Sequence, residues 1–195
     1  MRQFIIVGHK AATSGDFTLE DMPGSAGRID ILARCVTAAF VTSFDIRRDT
    51  QVCLVLLGEP DPPKIIRFDG AKLRYLNPDE RSTGALIRKA LKVKLSMGQR
   101  RSTQGVYVAR AGLVEALRYN DASVLFYLHE HGKDVRDVDL HTNNVAFILG
   151  DHLGLFEEAA AQLGQAQTIR VGPIKLHTDQ CITLIHNELD RLCST

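Results

Sequence analysis

The sequence contains no tryptophan, and aromatic residues make up only 6% of its 195 residues. It also lacks any apolar run long enough to approach a membrane span. The opening stretch, MRQFIIVGHK, has too short an apolar core for a signal peptide. We therefore expect a soluble cytoplasmic protein that has no membrane partner.

Several site signatures are missing as well. There is no GxGxxG, no GxxxxGK[ST] and no GxSxG, so neither a dinucleotide fingerprint, a P-loop nor a hydrolase nucleophile elbow is supported. The seven histidines are scattered, and no carboxylate or cysteine completes a ligand set around His129 and His131. We predict that the protein holds no metal. The four cysteines show no CxxC spacing and lie in apolar contexts, which favours buried free thiols: Cys35, Cys53, Cys181 and Cys193.

Acidic residues are absent from one stretch of the chain. The net charge is only +1, yet no acid stands between Glu80 and Glu115. That interval carries eight cations: Arg81, Arg88, Lys89, Lys92, Lys94, Arg100, Arg101 and Arg110. Such a run suits binding to a polyanion. A solvated helix face followed by a loop would give the same pattern, so the run alone leaves both alternatives open.

Strand-like and helix-like patterns alternate along the chain. We predict one domain over residues 1–195, with a first half of about 1–110 and a second of about 111–195. The strands are expected at Phe4–Val7, Val52–Leu57, Gly105–Ala109, Ser123–Leu128, Val145–Leu149 and Thr168–Val171. Helices are expected between most of them, including one after Val145–Leu149. This alternation predicts an α/β fold with a mostly parallel sheet and helices on both faces.

Local sequence signals predict four further features: two helices, a hairpin and a loop. From Gly27 onward, apolar residues recur at helical spacing as far as Phe44. Lys64–Phe68 and Lys72–Leu76 flank Asp69-Gly70, which predicts a hairpin. Asn77-Pro78-Asp79-Glu80 predicts a helix start with Asn77 as its cap and an end near Val93. Gly98–Gln104 is predicted to be a basic loop.

Three glycine-bearing segments follow predicted strands. They are Leu128–Gly132 (LHEHG), Gly150–Gly154 (GDHLG) and Val171–His177 (VGPIKLH). Glycine allows backbone to approach a ligand, and ligands of open α/β sheets gather at the carboxyl ends of strands. Each segment alone could be a plain turn. Three in succession indicate one pocket.

The motifs LHEHG, FILGDHLG and VGPIKLHTDQCITLIHNELDR resemble the three cofactor loops of SPOUT methyltransferases. Together with GRIDILARC, LLGEPDPPK and YLNPDERSTGALIRKAL, they make the chain similar to the archaeal tRNA pseudouridine N1-methyltransferases, the TrmY family, from Phe4 to about Leu192. The resemblance implies a C-terminal trefoil knot, a homodimer, and S-adenosylmethionine held by loop backbone. The residues it assigns to the cofactor are Leu128, Gly150, Val171, Gly172, Pro173, Ile174, Leu176 and Cys181, with Cys181 as pocket wall and not as nucleophile.

The acceptor implied by this resemblance is N1 of pseudouridine 54 in the T-loop of tRNA. Because that nitrogen carries a proton, a base or a cation that stabilises the uracil anion would help. We expect Arg28 and Asp30 to be catalytic, with His152 and His177 as alternative bases. RNA contacts are expected from Arg34, Arg81, Arg88, Lys89, Lys92, Arg100 and Arg101, with Arg47 and Arg48 as extensions. The alternatives are a non-catalytic RNA-binding factor of SPOUT shape, an rRNA pseudouridine N1-methyltransferase and, less favoured, a nucleotide-binding oxidoreductase.

Overall fold

Eight strands form one sheet that runs through both halves of the chain. The structure, a computed structural model, describes residues 1–74, 76–119, 122, 124–140, 144–155, 163–164 and 166–192. The strands are β1 (Arg2–Gly8), β2 (Thr50–Leu56), β3 (Lys64–Asp69), β4 (Arg100–Thr103), β5 (Val106–Ala109), β6 (Val124–Asp134), β7 (Val145–Gly150) and β8 (Gln167–Arg170). Their order in the sheet is β4-β5-β3-β2-β1-β7-β6-β8.

Five neighbouring strands run parallel. β2, β1, β7, β6 and β8 pair in parallel, whereas β3, β5 and β4 form an antiparallel extension on the side of β2. The prediction of a mostly parallel α/β sheet is therefore confirmed. The parallel strands end at one common edge, which we call the carboxyl edge. β5 also ends there, because its Ala109 lies opposite Ile65 near the start of the antiparallel strand β3.

Helices cover both faces of this sheet, as predicted. They are α1 (Met22–Ser25), α2 (Ile29–Phe40), α3 (Glu80–Leu91), α4 (Leu113–Arg118) and α5 (Thr178–Leu192), together with a 3-10 turn at Val135–Asp137. Side chains of β1 alternate between two cores: Phe4 and Ile6 pack with α2, α3 and α5, while Ile5 and Val7 pack with α4. In the described part of the chain, no helix is long and apolar enough to cross a membrane.

The predicted hairpin at Asp69-Gly70 is wrong. Lys64–Asp69 is a strand, but residues 72–74 do not return beside it. The N–H groups of Lys72 and Leu73 both donate to the carbonyl of Asp69, which closes a tight turn that leads away from the sheet. The place beside β3 is taken by β5, from further along the chain.

Three helix boundaries also differ from the prediction. α2 ends at Phe40, because Val41 adopts extended backbone, and Phe44 is fully exposed. α3 begins three residues after Asn77, since Asp79 is the cap and its side chain accepts the N–H of Ser82 at 2.7 Å. The helix ends at Leu91 instead of about Val93.

Strand β4 replaces most of the predicted loop Gly98–Gln104. It pairs antiparallel with β5 and has an irregularity between Arg101 and Thr103. Cys35, Cys53 and Cys181 are free, as expected. The helix predicted after Val145–Leu149 falls on residues 156–162, which lie outside the described residues, as do Ser123 and Cys193.

Candidate functional site

The three glycine-bearing segments converge at the carboxyl edge, where one interrupts β6 and the other two lie at the ends of β7 and β8. We call residues 128–132, 150–154 and 171–177 the first, second and third loops. The hydroxyl of Thr178, directly after the third loop, donates to the carbonyl of Gly150 at 2.7 Å. On the exposed side, Lys175 Nζ lies 2.9 Å from Glu130 Oε2. These two contacts tie the third loop to the second and to the first.

The sequence predicts that the first loop follows a strand, but in the structure it is a bulge inside β6. Leu128 and Lys133 both lie opposite Ile169 of β8, so the residues between them have no place in the ladder. His129, Glu130 and His131 are exposed. The bulge therefore presents polar side chains while β6 continues beyond it.

The second loop is a tight turn built around Gly150 and Asp151. A Cβ at Gly150 would lie 2.0 Å from the carbonyl oxygen of Gly154, so no other residue fits there without moving backbone. Asp151 Oδ1 accepts the N–H of Leu153 at 2.8 Å, and its carbonyl accepts the N–H of Gly154 at 3.0 Å. His152 is exposed, and its Nδ1 lies 3.8 Å from Asp151 Oδ1.

The third loop presents apolar side chains to solvent. Ile174 is 72% exposed, and Leu176 and Leu153 of the second loop are also exposed. Among the described residues, no atom lies within 4 Å of the position that a Cβ at Gly172 would occupy, so this part of the structure leaves the backbone of the loop open there. Exposed aliphatic side chains beside open backbone are typical of a site that is completed by a ligand or a partner.

The third loop leads into α5, whose first turn carries Asp179 and Cys181. Burial, followed by the charge of Asp179, raises the pKa of the Cys181 thiol to about 11. The thiol is therefore protonated at neutral pH, which disfavours a nucleophilic role. Among the described residues, Asp179 Oδ1 is buried and has no hydrogen-bond partner. A buried carboxylate oxygen in that condition calls for a donor or a cation.

A second cluster lies at the start of α2, which is also at the carboxyl edge because α2 connects β1 to β2. Asp30 is 2% exposed, and Arg28 holds both of its carboxylate oxygens, through Nε to Oδ1 at 3.0 Å and Nη2 to Oδ2 at 3.0 Å. Arg34 Nη1 lies 3.4 Å from Asp30 Oδ2 and 3.2 Å from Glu80 Oε2. Arg28 itself adopts left-handed backbone, with φ 71°.

The hydrogen bond to Asp30 raises the pKa of Arg28, and the charges of Asp30, Asp151 and Glu80 raise it further. Arg28 is therefore a permanent cation, and its side chain is 40% exposed. Asp30 holds this cation in place but has no free oxygen facing outward. The influence of Asp151 on Arg28 also indicates that the α2 cluster and the second loop are neighbours.

The basic residues of the interval 81–110 lie on two elements. Arg81, Arg88 and Lys89 are on α3 and Lys92 caps its end, whereas Arg100 and Arg101 are on β4, at the edge of the sheet. All are exposed except Arg88, which is half-buried. Arg81 pairs with Glu20, and Arg100 Nε donates to Ser96 Oγ at 2.8 Å. Arg34 joins the α3 group through its contact with Glu80.

Three residues of this edge were missed by the sequence analysis: His9, Asp151 and Asp179. Asp151 and Asp179 lie inside motifs that were recognised, but nothing in the amino-acid sequence indicates which carboxylates become buried. His9 is 142 residues from its partner Asp151, and spacing carries no signal over that separation.

Comparisons with known proteins agree on one group. A family model described as "Putative SAM-dependent RNA methyltransferase" matches residues 1–193. A tRNA (pseudouridine(54)-N(1))-methyltransferase of Methanosarcina acetivorans is 56% identical over 193 residues, which are 98% of this chain and 92% of the relative. The protein of the same name from Methanosarcina mazei is 58% identical, with the same shares covered.

Among solved structures, the crystal structure of Archaeoglobus fulgidus Nep1 bound to S-adenosylhomocysteine is similar in fold. It aligns with a TM-score of 0.66 over 100% of this chain and 99% of that chain, at 15% sequence identity. At that level of identity the likeness concerns the arrangement of the chain and not the chemistry of the site.

Proposed function

The chain belongs to this family of SAM-dependent RNA methyltransferases, and from that premise we propose how its residues carry out the reaction. It is a tRNA (pseudouridine-N1)-methyltransferase that methylates N1 of pseudouridine 54 with S-adenosylmethionine as the methyl donor. The observation that carries this conclusion is identity above half with enzymes of that name over 98% of the chain.

The residues at the three loops fit the methyl donor. S-adenosylmethionine is an amphipathic cation. The loops and the first turn of α5 combine exposed aliphatic side chains, open backbone at Gly172 and a carboxylate oxygen of Asp179 that has no hydrogen-bond partner among the described residues. We assign the donor site to Leu128, Gly150, Val171, Gly172, Pro173, Ile174, Leu176 and Cys181. Asp179 is added as the counter-charge. When bound there, S-adenosylmethionine supplies a methyl group on a positively charged sulfur.

Arg28 activates the acceptor in this proposal. N1 of pseudouridine becomes a good nucleophile as its proton passes to water, and negative charge then spreads over the uracil ring. A fixed, partly exposed guanidinium stabilises that charge without any reorganisation at the moment of reaction. Asp30 contributes by holding the guanidinium through two hydrogen bonds, since both of its own oxygens are occupied.

The tRNA is held by the cations of α3 and β4, with Arg34 closest to Arg28. We assign phosphate contacts to Arg34, Arg81, Arg88, Lys89, Lys92, Arg100 and Arg101. Supporting this, all of these side chains except Arg34 lie in the interval without acids, and Arg34 connects that interval to the α2 cluster through Glu80. Phosphate contacts of this kind position an RNA without reading its sequence.

Two features of the family remain proposals for this chain: a trefoil knot and a homodimer. β8 lies on the far side of β6 from β7, yet Thr178, directly after the third loop, bonds to Gly150 at the end of β7. The chain thus recrosses β6, as a knotted path requires. The apolar side chains of Ile174, Leu176 and Leu184 remain exposed in the single chain, which supports a surface that a second copy covers.

Calorimetric titration with S-adenosylhomocysteine tests the enzymatic assignment. We expect saturable binding at one site per chain, and loss of that binding in Gly150→Val, whose side chain cannot fit beside Gly154. Absence of saturable heat in the wild-type protein would favour a non-catalytic RNA-binding factor. Methylation of an rRNA fragment in preference to tRNA would favour the rRNA enzyme.

A further inference from the structure

The carboxylate of Asp151 ties the second loop to the end of β1. Its Oδ2 accepts the backbone N–H of His9 at 2.9 Å, and its Oδ1 lies 3.1 Å from His9 Nδ1. The N–H of Asp151 in turn donates to the carbonyl of Val7 at 2.9 Å. Both side chains are only 4% exposed, so solvent does not weaken the contact.

The residues after His9 are packed against the backbone that precedes Arg28. A Cβ at Gly27 would lie 1.7 Å from the carbonyl oxygen of Lys10, and the N–H of Ala12 donates to the carbonyl of Ala26 at 3.1 Å. On the other side, the N–H of Gly58 donates to the carbonyl of Ala11 at 3.0 Å. Residues 10–12 are thus held between the turn that carries Arg28 and the end of β2.

We propose that the Asp151–His9 pair is a positioning device that fixes the second loop relative to Arg28. The proposal rests on the function proposed above, in which the second loop holds the methyl donor and Arg28 stabilises the acceptor. Methyl transfer requires the two reactants in one geometry, and a misplacement of about 1 Å can cost a factor of about 100 in rate. A rigid connection of few residues between the two sites meets that requirement.

Two further observations support the connection. Arg28 adopts left-handed backbone and makes no side-chain cap to α2, so its conformation depends on the packing of Gly27 against Lys10. After the hydrogen bond and charge of Asp30, the charge of Asp151 is the next contribution that raises the pKa of Arg28. The charge of Asp151 therefore also favours the cationic form of Arg28 through space.

Substitutions at His9 distinguish a role of the pair in positioning the two sites from a role in protein stability alone. We expect His9→Ala to weaken S-adenosylhomocysteine binding about tenfold and to slow single-turnover methylation of tRNA at saturating donor by about the same factor. His9→Asn should restore both, because its amide nitrogen can replace Nδ1 as the donor to Asp151. If His9→Ala does not fold, donor affinity and the single-turnover rate are measured instead for Asp151→Asn, which alters the other member of the pair.

The matched control is His186→Gln, which alters another buried histidine that lies on α5 and contacts Arg2 at the start of β1, at the edge opposite the loops. It should lower the melting temperature but leave donor affinity and the single-turnover rate of the folded protein unchanged. The proposal is overturned if His9→Ala behaves like this control, with a lower melting temperature and unaltered affinity and rate. If the wild-type protein itself binds no donor, the proposed function fails instead.

A double substitution tests the path to Arg28. If the pair acts on rate through Arg28, His9→Ala should slow the reaction much less in an Arg28→Lys background than in the wild type. Its effect on donor affinity should remain in both backgrounds. Equal losses of rate in both backgrounds would contradict transmission through Arg28.

Discussion

Arg28 and Asp30 are two residues apart, and they form a bidentate ion pair in which the arginine is half exposed and the aspartate is buried. The pair stands at the start of α2, on the same edge of the sheet as the three loops. In the proposed function, Arg28 therefore supplies the charge that faces the acceptor, and Asp30 holds that charge in place.

Replacing Arg28 should therefore impair the reaction more than donor binding. We expect Arg28→Lys to lower the single-turnover methylation rate about 100-fold, because lysine cannot keep the two-point contact with Asp30. Affinity for S-adenosylhomocysteine, measured by calorimetry, should change less than twofold. Arg34→Lys serves as the control and should weaken tRNA binding with a smaller loss of rate. An unaltered rate in Arg28→Lys would remove Arg28 from the catalytic assignment.

The cations of β4 should contribute to tRNA affinity. We expect Arg100→Ala with Arg101→Ala to weaken binding and to reduce the slope of log affinity against log salt by up to about two. Arg110→Ala is the matched control from the same interval, because Asp61 already neutralises Arg110 through two hydrogen bonds. Charged residues on an edge strand can instead prevent aggregation. In that case the double variant would aggregate and the salt slope of the remaining monodisperse protein would match the wild type.

Cys181 should be dispensable for chemistry. Because burial raises the pKa of its thiol to about 11, it is protonated under assay conditions. We expect Cys181→Ala to retain the wild-type rate at saturating donor and to raise the KM for the donor a few-fold. Loss of the rate at every donor concentration would contradict the role of pocket wall.

Acid should destabilise the protein through His186. Its Nε2 donates to the carbonyl of Ala39 at 3.0 Å, and its Nδ1 accepts from Arg2 at 3.1 Å. Burial, followed by the charges of Arg47 and Arg2, lowers the pKa of His186 to about 3. The unfolded chain therefore binds the proton more readily between about pH 6.5 and 3, and stability falls as the pH falls through that window, by up to about 1.4 kcal/mol per pH unit.

Urea unfolding at pH 7, 6 and 5 measures this effect. The difference between the wild type and His186→Gln should shrink as the pH falls, because glutamine does not titrate. A difference that stays constant over this range would show that His186 does not control acid stability.

The outward face of α5 should mediate the homodimer. We expect the wild-type protein to be a dimer by light scattering and Leu184→Arg to be a folded monomer with little activity, because a charge at a buried apolar contact has no partner. Phe44→Arg is the control: Phe44 is fully exposed, beyond the end of α2 at the opposite edge of the sheet. A Leu184→Arg protein that remains dimeric would place the interface elsewhere.

Periodicity predicted the elements whose side chains face a core. The apolar positions of α2 recur every three to four residues from Ile29 to Phe40, and β1 and β2 at the sheet centre each contain a continuous apolar run after two polar residues. Phe44 continued the helical spacing by coincidence. The chain turns there because the hydroxyl of Thr42 donates to the carbonyl of Asp45 and accepts the N–H of Asp45. Apolar spacing cannot reveal these hydrogen bonds.

Elements without a buried face escaped prediction. β4 has the sequence RRST and forms because β5 supplies hydrogen bonds to its backbone, which does not depend on apolar side chains. In the same way, β6 continues through the polar LHEHG motif because β8 pairs with it on both sides of the bulge. The three loops and Arg28 could be named from motifs, but the link between His9 and Asp151 depends on tertiary packing over 142 residues.

The central claim is that this chain transfers a methyl group to N1 of pseudouridine 54 in tRNA. The most direct test incubates the protein and S-adenosylmethionine with two transcripts of one tRNA, one with pseudouridine at position 54 and one with uridine there. Nucleoside mass spectrometry should show a gain of one methyl group on pseudouridine in the first transcript and no gain in the second. Methylation of the uridine transcript, or of neither, would contradict the claim.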